Sequence, residues 1–331
     1  MRPSRPHPTP APPGEAPFGP LTLLERIAVG GMAEVFRARE PRGAGEPRTV
    51  VVKRMLPHIA GEPGAARMFE AEARIGRLVA HPNVVAVLAF GEISGQPYLT
   101  LELVPGIDLG RLRAWLARER SRLETPLALH VGAELLAGLH AVHEAKDEHG
   151  HRLEIVHGDV SPSNVLLSTK GEVKLADFGI AQARLRASFP QAASSRTRGK
   201  LAYLAPEQVR GEETDRRADV FAAAAVVAEL LVGEPLFSRD SDLSTLLAIR
   251  DASLERLEPH RGRLPPALVD ALERGLARDP EDRVETAAAL ALALRGLVTG
   301  DRAALRERLG ALVSRASAAL EQARTPAPWR T

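Results

Sequence analysis

Apolar residues recur along this chain with two different periods. From Leu21 the period is short: residues 21–29, 33–38 and 49–55 are apolar-rich stretches separated by Gly and Pro, the pattern of antiparallel strands. Residues 64–79 then carry Met68, Ala71, Ile75, Leu78 and Val79 at helical spacing. His81-Pro82-Asn83 closes that helix, because a residue before proline avoids helical geometry. Two further strands are expected over 84–90 and 98–103. After Pro105 the pattern becomes mostly helical, over 108–119, 126–144, 217–232, 241–251, 266–277 and 285–297. The reading is an α+β chain, with a small antiparallel β-rich lobe over 21–104 followed by a larger α-helical lobe over 105–297. Thr299-Gly300-Asp301 opens a last helix within an extension, 298–331. Its stripe of Leu305, Leu309, Leu312, Ala316 and Leu320 is expected to pack on the protein's own body. No internal repeat is visible.

Residues 1–20 read differently, with eight prolines and no apolar core flanked by basic residues, so they are expected to form a disordered, polyproline-like tail. The apolar run 220–228, closed by Asp219 and Glu229, is far too short for a bilayer, and no membrane span is expected. Of the 331 residues, 44% are hydrophobic and 26% charged, which excludes a fully disordered or collagen-like chain. A net charge of +2 does not suggest a nucleic-acid or membrane-surface binder. With no cysteine there are no disulfides, thiolate metal sites or thiol nucleophiles, which suits a reducing compartment.

Several short polar motifs gain meaning from their order. Lys53 lies inside the apolar strand Val50-Val51-Val52-Lys53. Downstream come His157-Gly158-Asp159-Val160-Ser161-Pro162-Ser163-Asn164, an apolar strand, Asp177-Phe178-Gly179, and Ala205-Pro206-Glu207-Gln208, with Asp219 and Arg283 beyond. Each alone is an ordinary turn or strand residue. Together, over roughly 21–297, they resemble the protein kinase family, and its bacterial Hanks-type Ser/Thr branch in particular.

The resemblance implies a bilobal fold with a nucleotide cleft, and a reaction that moves the γ-phosphate of ATP, with Mg2+, to Ser or Thr hydroxyls of proteins. Such a transfer asks for charge neutralisation and aim more than for covalent chemistry. By resemblance, Lys53 holds the α- and β-phosphates and pairs with Glu72, with Glu70 as the competing partner. Val29, Gly30 and Val35 cover the nucleotide, Leu101 is the gatekeeper, the backbone of Glu102 and Leu103 meets adenine, and Asp108 lies near the ribose. Asn164 and Asp177 are the metal ligands, and Asp159 orients or accepts the hydroxyl proton. The resemblance also implies protein substrates, and with no membrane span expected a cytoplasmic location is expected.

The chain departs from the family pattern in three places. Ala28-Val29-Gly30-Gly31-Met32-Ala33 keeps only the middle glycine of the usual loop, which bears on nucleotide affinity. Gly158 replaces the arginine that gathers a phosphorylated activation segment, although Ser188, Ser194, Ser195 and Thr197 stand as candidate autophosphorylation sites. Ser161 stands where a lysine is usual and Lys200 where a threonine is usual, so Lys200 is expected to return the missing charge to the transferring phosphate. The cluster His140, His143, His149, His151 and His157 lacks zinc-protease spacing, since position 147 is Asp. A small-molecule phosphotransferase is disfavoured by Ala-Pro-Glu. A pseudokinase, binding ATP or acting as a scaffold, is the alternative, opposed by the joint presence of both metal ligands and the base.

Overall fold

The computed structural model describes residues 15–43, 45–62, 64–177 and 200–324, which form two compact units. The smaller contains the chain up to Arg77 together with Ala86–Leu103. Its core element is a six-stranded antiparallel sheet in the order β1-β2-β3-β4-β6-β5. The strands are β1 (Ala16–Phe18), β2 (Leu21–Val29), β3 (Ala33–Arg42), β4 (Gly45–Met55), β5 (Val87–Ile93) and β6 (Gln96–Glu102). Period-two alternation gives β4 two working faces. Val50 and Val52 join Phe18, Leu21, Leu23 and Ala38 in one apolar cluster. Met55, on the opposite face, packs with Ala33, Leu99, Phe69 and Ala73. The last two belong to helix α2 (Ala65–Leu78), which follows the single turn α1 (Pro57–Ala60).

Strand β1 corrects the reading of 1–20 as a disordered tail. Ala16–Phe18 pairs with β2, and Phe18 is buried edge-on against Tyr98, with ring centroids 5.3 Å apart. Its proline is tolerated because β1 is an edge strand. Residues 1–14 lie outside the described part.

The larger unit comprises Leu78–Val85 and the chain from Val104 onwards. A three-stranded antiparallel sheet of β7 (Gly106–Asp108), β8 (Val165–Ser168) and β9 (Val173–Leu175) lies beside the helices. These are α3 (Leu109–Arg118), α4 (Thr125–His143), α5 (Pro206–Arg210), α6 (Arg216–Val232), α7 (Asp242–Arg250), α8 (Pro266–Gly275), α9 (Ala287–Leu297) and α10 (Arg302–Arg324). Helices α4 and α6 are buried over most of their lengths and form the centre of this unit. Among the described residues α4, and not the shorter apolar run 220–228, has the length and apolarity of a membrane crossing, and 72% of its apolar window is buried inside the protein.

The strand expected over 84–90 starts instead at Val87. Val84 bridges Leu175 and the Val85 N–H donates to the Leu175 carbonyl, so one apolar run serves two units. The segment 78–85, assigned to the smaller lobe by sequence, thus belongs to the larger one. Asn83 fastens it, its Nδ2 donating to Glu134 (3.0 Å) and to the Val173 carbonyl (2.9 Å). The stripe on α10 is also shifted: Leu305, Leu309, Val313 and Ala316 are buried, whereas Leu312 is only half-buried.

Candidate active site

In the smaller unit Lys53 shares the face of β4 that meets α2, as its two-residue offsets from Val51 and Met55 require. Its ammonium lies 2.6 Å from Glu72 Oε1 and 5.9 Å from the Phe69 ring centroid. This settles the choice between two acids on one helix: Glu72 is 5% exposed and paired, while Glu70 faces solvent. Ala33, Leu101 and Val35 flank the same region, Val35 directly opposite Lys53 in the β3–β4 register.

The β2–β3 turn carries the two-glycine segment. The Gly30 N–H donates to the Ala33 carbonyl at 2.7 Å. Neither Gly30 nor Gly31 has a positive φ, and a Cβ on Gly31 would meet no atom within 4 Å. The hairpin's own geometry therefore does not require these glycines. Glu102, at the end of β6, binds Ala86 twice, its N–H donating to the Ala86 carbonyl and its carboxylate accepting the Ala86 N–H. Val29 and Gly30 are exposed, and Leu103 follows β6.

In the larger unit Asp219, at the start of α6, organises the loop before β8. Its carboxylate accepts the N–H groups of His157 (2.7 Å) and Gly158 (2.8 Å) and contacts His143 Nε2 at 2.9 Å. Gly158 adopts φ 72°, a left-handed conformation that disfavours the arginine otherwise expected there. His157 is fully buried, and burial pushes its imidazole below the ordinary value. Nδ1 accepts the Asp159 N–H (3.3 Å), so the neutral ring presents Nε2–H to the Ala176 carbonyl, also 3.3 Å away. One imidazole thereby links the Asp159 loop to the residue preceding Asp177.

Asn164, at the end of the 3-10 turn Pro162–Asn164, uses one amide nitrogen twice, on the Asp159 carbonyl (2.8 Å) and on Asp159 Oδ2 (2.9 Å). The Lys200 ammonium pairs with that same Oδ2. The Ala176 N–H donates to the Asn164 carbonyl at 2.8 Å, and the β8–β9 pairing holds the two ends together. Asp177 is exposed and has φ 56°, unusual for a residue other than glycine and common at sites under functional constraint. Phe178, Gly179 and the four candidate phosphorylation sites lie outside the described residues.

These groups suit magnesium. Asn164 spends its NH2 on Asp159, which leaves the amide oxygen as a donor, and Asp177 supplies a carboxylate. Two hard oxygen ligands completed by phosphate oxygens is a common magnesium arrangement. Asp108 already has a structural role, capping α3 by accepting the Arg111 N–H at 2.9 Å. Burial pushes its carboxyl up, against the pull of Arg111.

Sequence reasoning missed one network. Tyr203 and Arg113 both engage the carboxylate of Glu229, which is fully buried on α6. Burial raises the Tyr203 phenol to about 12, so it remains a donor. The signal was present in the sequence: an acid ending an apolar run has to find a partner when the helix is buried. Glu207 is likewise met by Arg283 through two contacts, at 2.8 and 3.0 Å, with the guanidinium over the Phe221 ring.

A sheet carrying a lysine–glutamate pair, together with a helical unit whose loop sets an aspartate beside an asparagine, defines the class as a phosphotransfer scaffold. Residues 21–293 match the model of the protein kinase domain, and the chain belongs to the protein kinase family, among its bacterial Hanks-type members. It is 41% identical over 278 residues to the tyrosine-protein kinase MasK of Myxococcus xanthus, covering 84% of this chain and 43% of MasK. It is 32% identical to the serine/threonine-protein kinase PknE of Mycobacterium tuberculosis, covering 86% of this chain and 47% of PknE. The chain thus spans less than half the length of these relatives. The crystal structure of the Mycobacterium tuberculosis PknI kinase domain superposes with a TM-score of 0.59 at 26% identity, covering 86% of this chain and 99% of that one.

Proposed function

We propose that the chain is a Ser/Thr protein kinase that transfers the γ-phosphate of ATP to hydroxyl groups of proteins. The observation carrying this reading is the double hold of Asn164 on Asp159, which aims a carboxylate as a general base requires. A scaffold has no need of that orientation together with a lysine kept on Glu72. Lys53 would draw the α- and β-phosphates, Gly30 and Gly31 would admit their close approach, and Asp159 would take the acceptor's proton. Magnesium held by Asn164 and Asp177 would neutralise charge on the phosphates.

The Ser/Thr preference is supported by the name of PknE and opposed by that of MasK. The absence of cysteine supports a location in the cytoplasm, with Ser188, Ser194, Ser195 and Thr197 as candidate sites of autophosphorylation. The second reading, a pseudokinase, is favoured by the single retained loop glycine.

The test is magnesium-dependent incorporation of labelled γ-phosphate into the protein itself and a generic basic protein, comparing the wild type with Asp159→Asn, followed by phosphoamino-acid analysis. Label on Ser or Thr, lost in the variant while ATP still binds, is the expected result. Label on Tyr would reassign the acceptor. ATP binding with no transfer by the wild type would give the pseudokinase reading precedence.

A further inference from the structure

We propose that Lys200 is a catalytic residue, the cation that stabilises the phosphoryl group during its transfer, in place of a lysine that the loop before β8 does not carry. The proposal rests on the kinase reading. From His157 to Asn164 that loop holds one carboxylate, Asp159, and one histidine, whose buried ring is neutral. Ser161, two residues after Asp159, is 2% exposed and has its hydroxyl 3.1 Å from Ser163 Oγ, so it supplies no charge. The loop therefore presents net negative charge to a reaction in which negative charge spreads over three phosphoryl oxygens.

Lys200 supplies the opposite charge at that point. Its ammonium meets Oδ2 of Asp159, the oxygen also held by Asn164, although 41 residues separate it from Asp159. Of the other lysines in the larger unit, Lys146 lies beside the exposed 147–151 turn, Lys170 on the β8–β9 turn and Lys174 within β9. Asp159 is 4% exposed at its side chain against 23% for Lys200, so the ammonium is the better solvated partner and its stem can swing it from carboxylate to phosphoryl oxygen.

In the step, the acceptor hydroxyl oxygen forms a bond to the γ-phosphorus as the bond to the β–γ bridging oxygen breaks. The electron pair of that bond leaves on ADP, and the hydroxyl proton passes to Asp159. Lys200 acts on the equatorial oxygens while both bonds are partial, a role that lowers kcat when lost rather than nucleotide affinity.

Because the natural chain has no cysteine, the charge can be removed and returned at one atom. Lys200→Cys, in the full chain, is assayed before and after alkylation with 2-bromoethylamine, which rebuilds a lysine-like ammonium, and with iodoacetamide, which adds a neutral group. ATP affinity is measured in parallel by calorimetry, and Lys170→Ala serves as the control. The expected result is a fall in kcat of about 10²-fold, as for loss of one transition-state donor, with the ATP dissociation constant within about threefold of wild type. Aminoethylation should recover at least about tenfold, and iodoacetamide nothing. Rates equal to those of Lys170→Ala, recovery with iodoacetamide, or no recovery with the ammonium restored would each overturn the proposal while the kinase reading stands. No transfer by the wild type would remove both.

Discussion

At the scale of single residues, the site depends on backbone conformations that its neighbours enforce. Gly158 occupies φ 72° while its N–H binds Asp219, so the position is fixed by a buried acid on α6. Gly158→Ala should cost roughly 1–2 kcal/mol, the penalty of a left-handed conformation for a residue with a Cβ, read as a lower urea midpoint. An unchanged midpoint would mean that this backbone relaxes without strain. Asp219 and Glu229 illustrate how far the residues themselves could be read. In sequence Glu229 is only the polar end of an apolar run, and Asp219 is its other end and a motif landmark without a visible partner. In the folded chain they are 2% and 0% exposed, and they hold the two loops that flank Asp159 and Tyr203. Their partners, 62 and 26 residues away in sequence, could not be inferred from local spacing.

Among the elements, α10 shows how closely an added helix is fitted. Arg302 reaches Glu134 at 2.6 Å, Arg306 reaches the Lys170 carbonyl and Glu172, and a Cβ on Gly310 would come within 2.7 Å of the Thr169 carbonyl. Burial alone would raise Glu134, but hydrogen bonds from Arg302 and Asn83 hold its carboxyl below the ordinary value. Gly310→Val should therefore lift α10 from the β8–β9 turn, and limited proteolysis should cut within 302–324 faster than in the wild type. Equal cleavage rates would show that the turn yields instead. The helices were legible because their apolar periods span several turns: α2, α3, α4, α6, α7, α8 and α9 all fall within two residues of their expected ends. The strands were less so. β1 was hidden in proline-rich sequence, β7 is only three residues long, and β5 was displaced because Val84 and Val85 pair with Leu175. The motif residues Lys53, Glu72, Asp159 and Asn164 were found from their order, and the structure adds the pairings within each unit. What spacing could not give was the contact of Lys200 with Asp159.

For the whole molecule, acid should act first through histidines. His81, His130 and His157 are all in the larger unit, and burial lowers each of them below 6.5. Their folded forms resist protonation, whereas the unfolded chain takes up protons once the pH falls below about 6.5. Stability is therefore complete above that pH and is lost as the pH drops from it toward the folded values. For buried His157 the slope approaches about 1.4 kcal/mol per pH unit, and the other two act in the same direction. Melting temperatures at pH 7.5, 6.5 and 5.5 should be level across the first interval and fall across the second. A flat response throughout would mean that these rings protonate without opening the fold.

The assignment of 78–85 to the larger unit means that the polypeptide passes from one unit to the other three times, after Arg77, Val85 and Leu103. No single cut can then divide the gene into two self-sufficient halves. A fragment beginning at residue 104 would lack Asn83, leaving Glu134 and the Val173 carbonyl without its amide, and Gly138 without the backbone it packs against. Split-reporter or fragment-complementation schemes that break this protein between its β-rich and helical parts would produce an incomplete core on the helical side. Insertions in the 147–151 turn, where His149 and His151 are exposed, would leave that threading intact.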